Sequence, residues 1–288
     1  MLIGIATLKT EPWELEDNFQ RMEGYVREAA RRRARVVVAP ESVLDGYVFN
    51  EDPESTPEGM RKIAQTVPNG PYIARARELS CELGIYLIFG FLECEGEDLF
   101  NSCLMLDPQG EVLTRYRKLT TAGEYAITPG RELKPFDTPI GRVGFLLCSD
   151  RNADNCAVLG VQGSEIIFIP MDGSGGPENT EKMRWRAREN GCWIVIANTW
   201  SAIIIGPSGE IHLERYETEC ASVQRLVLAE SKAKPRRLAA RRPDLYGPLL
   251  ESSGEGRLYD EEGRLTAIAE QRRQETRRNA LERKRKNT

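Results

Sequence analysis

The stretch VVVAPESVLDGY, Val36 to Tyr47, decides the fold. Four apolar residues in a row, three of them β-branched, suit a short strand buried on both faces, and Pro40 ends it because proline donates no ladder hydrogen bond. A carboxylate, Glu41, follows at once. Upstream, about Trp13 to Arg33 carries Phe19, Met22, Val26 and Ala29 or Ala30 on one helical face, and Leu2 to Thr7 reads as a strand. Strand, helix and buried strand in succession are the repeat of an α/β fold. The second half echoes it. A helical stretch near Asp154 to Gln162 leads into IIFIP, Ile166 to Pro170, and a helix from about Glu178 to Asn190 leads into WIVIA, Trp193 to Ala197. Two such halves predict a pair of stacked sheets with helices outside, related by a pseudo-twofold.

Between and after them, Pro71 to Leu83 reads as a helix and Ile85 to Phe91 as a strand. Cys103 to Leu106, the turn Asp107-Pro108-Gln109-Gly110 and Val112 to Lys118 form a hairpin. Val143 to Leu147 is a buried strand ending at Cys148; a second hairpin surrounds Gly206 to Gly209, and a strand is expected near Arg225 to Ala229. Beyond about Tyr246 the chain becomes charged and poor in large apolar groups. The reading is one domain over 1–246 and a charged arm over 247–288.

The chain has 288 residues, 40 Lys plus Arg against 44 Asp plus Glu, and 40% hydrophobic residues. This is ordinary globular composition and excludes disorder of the whole chain. No apolar stretch approaches the roughly 20 residues that span a bilayer, and the first residues lack the pattern of a signal peptide, so a cytoplasmic protein is expected, with no membrane partner. Seven widely spaced cysteines without a CxxC pair argue against a disulfide framework, and most are expected to be buried small hydrophobes. The single histidine, His212, excludes a poly-histidine metal centre and leaves acid–base chemistry to a carboxylate or a lysine. Neither metal nor cofactor is expected; Cys148, Asp150, Cys156 and His212 match no recognised zinc spacing. Glu270, Glu275 and Glu282 interleave with the arginines of the arm, so a solvated or partner-docking helix is expected there and no nucleic-acid partner.

In α/β sheets reactive groups gather just beyond the carboxyl ends of strands. Glu41, Lys118 and Cys148 each occupy such a position. A thiol attacks as the thiolate; Glu41 can take its proton and later deliver it to a leaving amine, while Lys118 holds the thiolate and then the tetrahedral oxyanion.

Three segments, VVVAPESVLDGY, NSCLMLDPQGEVLTRYRKL (Asn101 to Leu119) and GRVGFLLCSD (Gly141 to Asp150), resemble in order and spacing the motifs of the nitrilase superfamily of carbon-nitrogen hydrolases. WRARENGCWIVIANT (Trp185 to Thr199) and ARRPDLYGPL (Ala240 to Leu249) are similar to family segments as well, and the matching frame runs from Leu2 to about Tyr246. The resemblance implies a four-layer αββα sandwich and a Glu-Lys-Cys triad carried by Glu41, Lys118 and Cys148. It implies a second glutamate, Glu124, that orients Lys118 and the substrate, and an oxyanion hole completed by the backbone N–H of Ser149. It also implies attack on an amide, carbamoyl or nitrile carbon through a thioester, and a homodimer or larger assembly made through helices and the C-terminal arm. Tyr47 is a candidate to line the substrate pocket or to pack against its loop. Asp150 and Arg151 are candidates to pair structurally or to meet a charged substrate. Three departures bear on the substrate: Leu119-Thr120-Thr121 after the lysine, Ser149 to Asp154 after the cysteine, and a shortened segment between Asn198 and Gly206. The function expected is a thiol amidohydrolase of a small linear amide or carbamoyl compound. The alternatives are a true nitrilase and a nitrilase-like scaffold that binds a ligand or protein partner with little turnover.

Overall fold

Leu2–Thr7 (β1) and Val36–Val38 (β2) run parallel, with Ile3 opposite Val36 and Ile5 opposite Val38, and the helix Leu15–Arg31 (α1) crosses between them. The structure, a computed structural model, describes residues 1–49, 55–173, 175–216, 219–229, 238, 240–249 and 258–287. After β2 come the helices Pro57–Ile63 (α2) and Pro71–Leu83 (α3), then the strands Tyr86–Glu95 (β3), Asp98–Leu106 (β4) and Val112–Arg117 (β5). The second half holds Phe136–Thr138 (β6), Gly141–Phe145 (β7), the helix Ala153–Val161 (α4), Ile166–Met171 (β8), the helix Pro177–Asn190 (α5) and Trp193–Asn198 (β9). Ser201–Ile205 (β10), Ile211–Tyr216 (β11), Cys220–Arg225 (β12) and the helix Ala267–Asn287 (α6) complete it.

The strands form two six-stranded sheets, ordered β12-β1-β2-β3-β4-β5 and β11-β10-β9-β8-β7-β6. Each sheet has a parallel centre, β1-β2-β3 in one and β7-β8-β9 in the other, flanked by antiparallel strands. This is the αββα sandwich that the two-half repeat predicted. Alternation along the strands builds the layers. Ile3, Ile5, Val36, Val38 and Ile88 join the second sheet's Phe145, Ile167 and Val195 in a core between the sheets. Ala6, Val37, Leu87 and Phe89 point the other way, onto Phe19, Met22 and Val26 of α1 and Ile73 and Ala76 of α3. The halves share punctuation as well: α3 and α5 each start on a proline and end on a glycine in the left-handed region, Gly84 and Gly191.

Three sequence expectations need correction. The last strand of the first sheet is Cys220–Arg225, upstream of the expected Arg225 to Ala229, because pairing with β1 sets its register, Leu2 opposite Arg225. The strand before Cys148 stops at Phe145, and Leu146 and Leu147 lead into a tight turn instead. Of the seven cysteines, only Cys103, Cys156 and Cys192 are buried, while Cys94, Cys148 and Cys220 are half-buried and Cys81 is exposed; none of the seven forms a disulfide. Among the described residues, no helix is long and apolar enough to cross a membrane.

Candidate active site

Glu41 is delivered by the stop of β2. The Pro40 carbonyl accepts the Gly90 N–H at 3.0 Å, so β3 passes directly beneath the turn. A Cβ on Gly90 would lie 2.5 Å from the Ser42 nitrogen and 2.6 Å from the Glu41 Cα, closer than packed atoms come, and both neighbours are backbone. Gly90→Ala is therefore expected to lower the melting temperature and to cut any Glu41-dependent activity more than tenfold. Gly24→Ala, inside α1 with no atom in the way, is expected to stabilise by about 0.5–1 kcal/mol. Thermal melts of the two variants check the contrast.

Lys118 follows β5, its N–H bonded to the Asn101 carbonyl on β4 at 2.8 Å. Its ammonium donates to Glu41 Oε1 at 2.7 Å and to Glu124 Oε1. Asn101 Nδ2 donates to the same two oxygens, at 2.8 and 3.2 Å, and the Tyr47 hydroxyl donates to Glu124 Oε1 at 2.9 Å. Glu41, Lys118 and Glu124 are all buried. The second oxygen of Glu124 is buried with no hydrogen-bond partner among the described residues.

Cys148 opens the turn Cys148–Asp150 with φ of 42°, in the left-handed region that a side chain adopts at a cost and that recurs at functional sites. Asp172, just past β8, joins it to the carboxylate: its N–H donates to Glu41 Oε2 at 2.9 Å, and its carbonyl accepts the Cys148 thiol at 3.4 Å.

Burial sets the protonation states. It pushes Glu41 up to about 6, with the Lys118 ammonium opposing and the Glu124 carboxylate adding to the rise. It pushes the Cys148 thiol up to about 12, helped by the Glu41 charge and opposed by Lys118 and Arg151. Burial alone would lower Lys118, but Glu124 and Glu41 more than offset it, and the lysine is held well above its ordinary value as the cation. At neutral pH the resting site is thus a thiol, an ammonium and a carboxylate able to take a proton, rather than a preformed thiolate.

Two cavities lie near these groups. One of about 560 Å³ opens over Asp172 between Lys9, Gly46, Thr199 and Trp200. The other, of about 710 Å³, is lined by Ser149, Arg151, Asn179, Lys182 and Arg186.

The carbon-nitrogen hydrolase family profile matches residues 2–277. The chain belongs to the carbon-nitrogen hydrolase family. This hydrolase is 27% identical over 234 residues to the nitrilase of Pyrococcus abyssi, covering 76% of this chain and 87% of that protein. It is 28% identical over 261 residues to the omega-amidase NIT2 of Homo sapiens, covering 80% and 91%. Its fold superposes on the NitN amidase of Nesterenkonia sp. AN1 with a TM-score of 0.71 at 20% identity, over 86% of this chain and 99% of that one. On a carbon-nitrogen hydrolase of Helicobacter pylori G27 the TM-score is 0.75 at 18% identity, over 88% and 98%.

The hydrolase brings Glu41, Lys118, Glu124 and Tyr47 into one hydrogen-bonded cluster beside Cys148. Asp150 lies elsewhere. Its buried carboxylate accepts the Tyr116 hydroxyl at 2.8 Å and the N–H groups of Leu119 and Thr120 at 3.1 and 2.8 Å, so it ties the cysteine turn to the loop after Lys118. Nor do Asp150 and Arg151 pair. The Arg151 guanidinium donates to the Cys148 carbonyl at 2.6 Å and to Asn179 at 2.6 Å, and stands 3.8 Å from the thiol. Ser149 is exposed at the rim, its hydroxyl on the Thr120 carbonyl at 3.2 Å. His212 lies on β11 against Trp193, with Glu210 at 3.0 Å. Cys156 packs inside α4.

Sequence reasoning missed Asn101, Asp172, Tyr259 and Arg273. Asn101 opens one of the three motifs and is a polar residue inside a strand buried at eight of its nine positions, a legible signal. Asp172 acts through its backbone and leaves no such mark. Tyr259 and Arg273 come from the charged arm and meet the site only in three dimensions.

Proposed function

We propose that this chain is a thiol amidohydrolase that cleaves the C–N bond of a small linear amide or carbamoyl compound, with Cys148 as nucleophile, Glu41 as general base and acid, and Lys118 as oxyanion donor. The observation that carries the reading is the buried Glu41–Lys118–Glu124 cluster joined to the Cys148 thiol through the two backbone groups of Asp172.

The substrate carbonyl carbon approaches Sγ. Glu41 takes the thiol proton as the S–C bond forms, which avoids a free thiolate in a site that disfavours one. The oxyanion is met by the Lys118 ammonium and the Ser149 backbone N–H. The protonated Glu41 then gives its proton to the nitrogen, the C–N bond breaks, and ammonia or an amine leaves a thioester on Cys148. Water attacks next, losing a proton to Glu41; the carboxylic acid departs, and that proton returns to sulfur. Glu124 holds Lys118 in line, and its second oxygen is available to accept an N–H of the substrate amide.

The names of the relatives support the reaction class. Human NIT2 is an omega-amidase. A variant of the Nesterenkonia amidase carries the acetamide moiety of fluoroacetamide covalently on its active-site cysteine. A nitrile is the second reading, since the Pyrococcus relative is a nitrilase. The cavity over Asp172 has the size of a small-ligand site and is the substrate entry in this reading. The division into a domain over 1–246 and an arm over 247–288, and assembly into a homodimer or larger, belong to the same proposal.

Ammonia release from matched panels of linear amides, carbamoyl compounds and nitriles tests the substrate class. Turnover of amides above nitriles is expected; turnover of nitriles alone would replace the first reading with the second, and no turnover of any would leave the scaffold. The pH dependence is a sharper expectation. The base must be ionised, so kcat/KM should rise through about pH 6 as Glu41 loses its proton. No further rise is expected near pH 8–9, since the Cys148 thiol stays protonated there.

A further inference from the structure

We propose that the C-terminal segment completes the active site, with Arg273 and Tyr259 as positioning residues that clasp the loop from Thr121 to Ile127 and thereby hold Glu124 against Lys118. The proposal rests on the catalytic reading of Glu41, Lys118 and Glu124 given above.

Arg273 lies on α6 yet is only 4% exposed, an unusual place for a guanidinium on a helix otherwise dense in charge. A buried cation is tolerated only where acceptors surround it. All of the acceptors here but Glu270 belong to one loop. Nε donates to the Thr121 carbonyl at 3.2 Å, Nη2 to the Thr121 hydroxyl at 3.2 Å and to the Ile127 carbonyl, and Nη1 reaches Glu270 on its own helix at 3.4 Å. The Tyr259 hydroxyl accepts the N–H groups of Thr121 and Ala122 at 2.7 and 3.2 Å. Arg277 stacks on the Tyr125 ring, 4.1 Å from its centroid. The arm therefore grips the loop on both sides of Glu124. Within the loop, the Glu124 N–H donates to the Thr121 carbonyl at 2.9 Å and the Ile127 N–H to the Glu124 carbonyl at 3.5 Å.

What the clasp protects is a charge arrangement. Glu41 is faced by Lys118 from the end of β5, by Glu124 from the clasped loop, and by Asp172 and Cys148 from the second sheet. If the loop relaxes, Glu124 withdraws, Lys118 pairs more fully with Glu41, and water enters. All three changes favour the Glu41 carboxylate, so its titration moves to lower pH.

The test uses Arg273→Ala, Arg273→Lys and Tyr259→Phe in the full chain, with Arg272→Ala, exposed on the same helix, as control. Two readouts need no substrate: amide hydrogen exchange, and the pH dependence of Cys148 alkylation by iodoacetamide followed by peptide mass. Arg273→Ala is expected to speed exchange of the Thr121–Ile127 amides at least tenfold with β2 and β8 unchanged. It should move the acid inflection of Cys148 alkylation down by at least half a pH unit and lower amide turnover roughly 10- to 100-fold. Arg273→Lys keeps the charge without the fork and should fall between; Tyr259→Phe should shift in the same direction by less, and carries the test alone if Arg273→Ala does not fold. The control should match the wild type. An unchanged inflection, or exchange raised uniformly over the chain, would overturn the clasp. A wild-type protein that turns over neither amides, carbamoyl compounds nor nitriles would remove the catalytic reading, while exchange and alkylation would still decide the clasp.

Discussion

Cys148→Ala is expected to abolish amide hydrolysis, with a loss on the order of 10⁵-fold or more in kcat, while the protein still melts cooperatively. The size follows from covalent catalysis. Glu41 and Lys118 would remain, but with no sulfur to attack the carbonyl the acyl transfer has no first step, and only the oxyanion donors would act on a water. The fold should survive because Cys148 is half-buried at a turn whose main ties, Asp150 N–H to the Leu147 carbonyl and Arg151 to the Cys148 carbonyl, do not involve the thiol. Ammonia release and circular dichroism on the same sample check both halves.

Lys118→Met is expected to cost both activity and stability. If Lys118 is the oxyanion donor proposed above, its loss should lower kcat by roughly 10²- to 10³-fold, and the misplacement of Glu41 should add to it. Breaking a buried ion pair by removing one partner typically costs about 3–5 kcal/mol, here because Glu41 and Glu124 would share a buried site without their cation. The pH dependence fixes the cause. Without Lys118 the Glu41 carboxylate, already raised by burial, is pushed further above its unfolded value, so the folded state holds a proton that the unfolded state has released. The variant should therefore approach wild-type stability below about pH 4 and lose it as pH rises through the raised Glu41 value. Urea melts at pH 4 and pH 8 check this; an equal deficit at both would assign the loss to packing instead.

The fold was legible because the buried strands announce themselves. VVVA, IIFIP and WIVIA are runs that only sheets covered on both faces accommodate, and the helical faces between them carry their apolar residues at the right period. The strand β12 was misplaced because its residues alternate, CASVQR, while the more apolar run after it drew the assignment. Long-range pairing with β1, more than two hundred residues away, set the true position. The candidate site divides the same way. Glu41, Lys118 and Cys148 lie one to three residues beyond strand ends and could be picked out from local pattern; Glu124 needed the family resemblance. Asp150 was open between a structural role and meeting a charged substrate, and its carboxylate bonds to Tyr116 and Thr120, contacts that local sequence does not announce. Arg273 was one arginine among many in a charged helix, distinguished solely by where α6 packs.

Burial and the Glu41 charge favour the Cys148 thiol at rest, so in the proposed mechanism activation comes with substrate, through proton transfer to Glu41.

The most direct test of the covalent mechanism is the mass of the Cys148 peptide from wild-type protein mixed with a turned-over amide and quenched in acid within milliseconds. The mechanism predicts a peptide heavier by the acyl group of that amide, absent from Cys148→Ala. Ammonia released in full with every cysteine peptide at its unmodified mass, or the acyl group found on another residue, would contradict it.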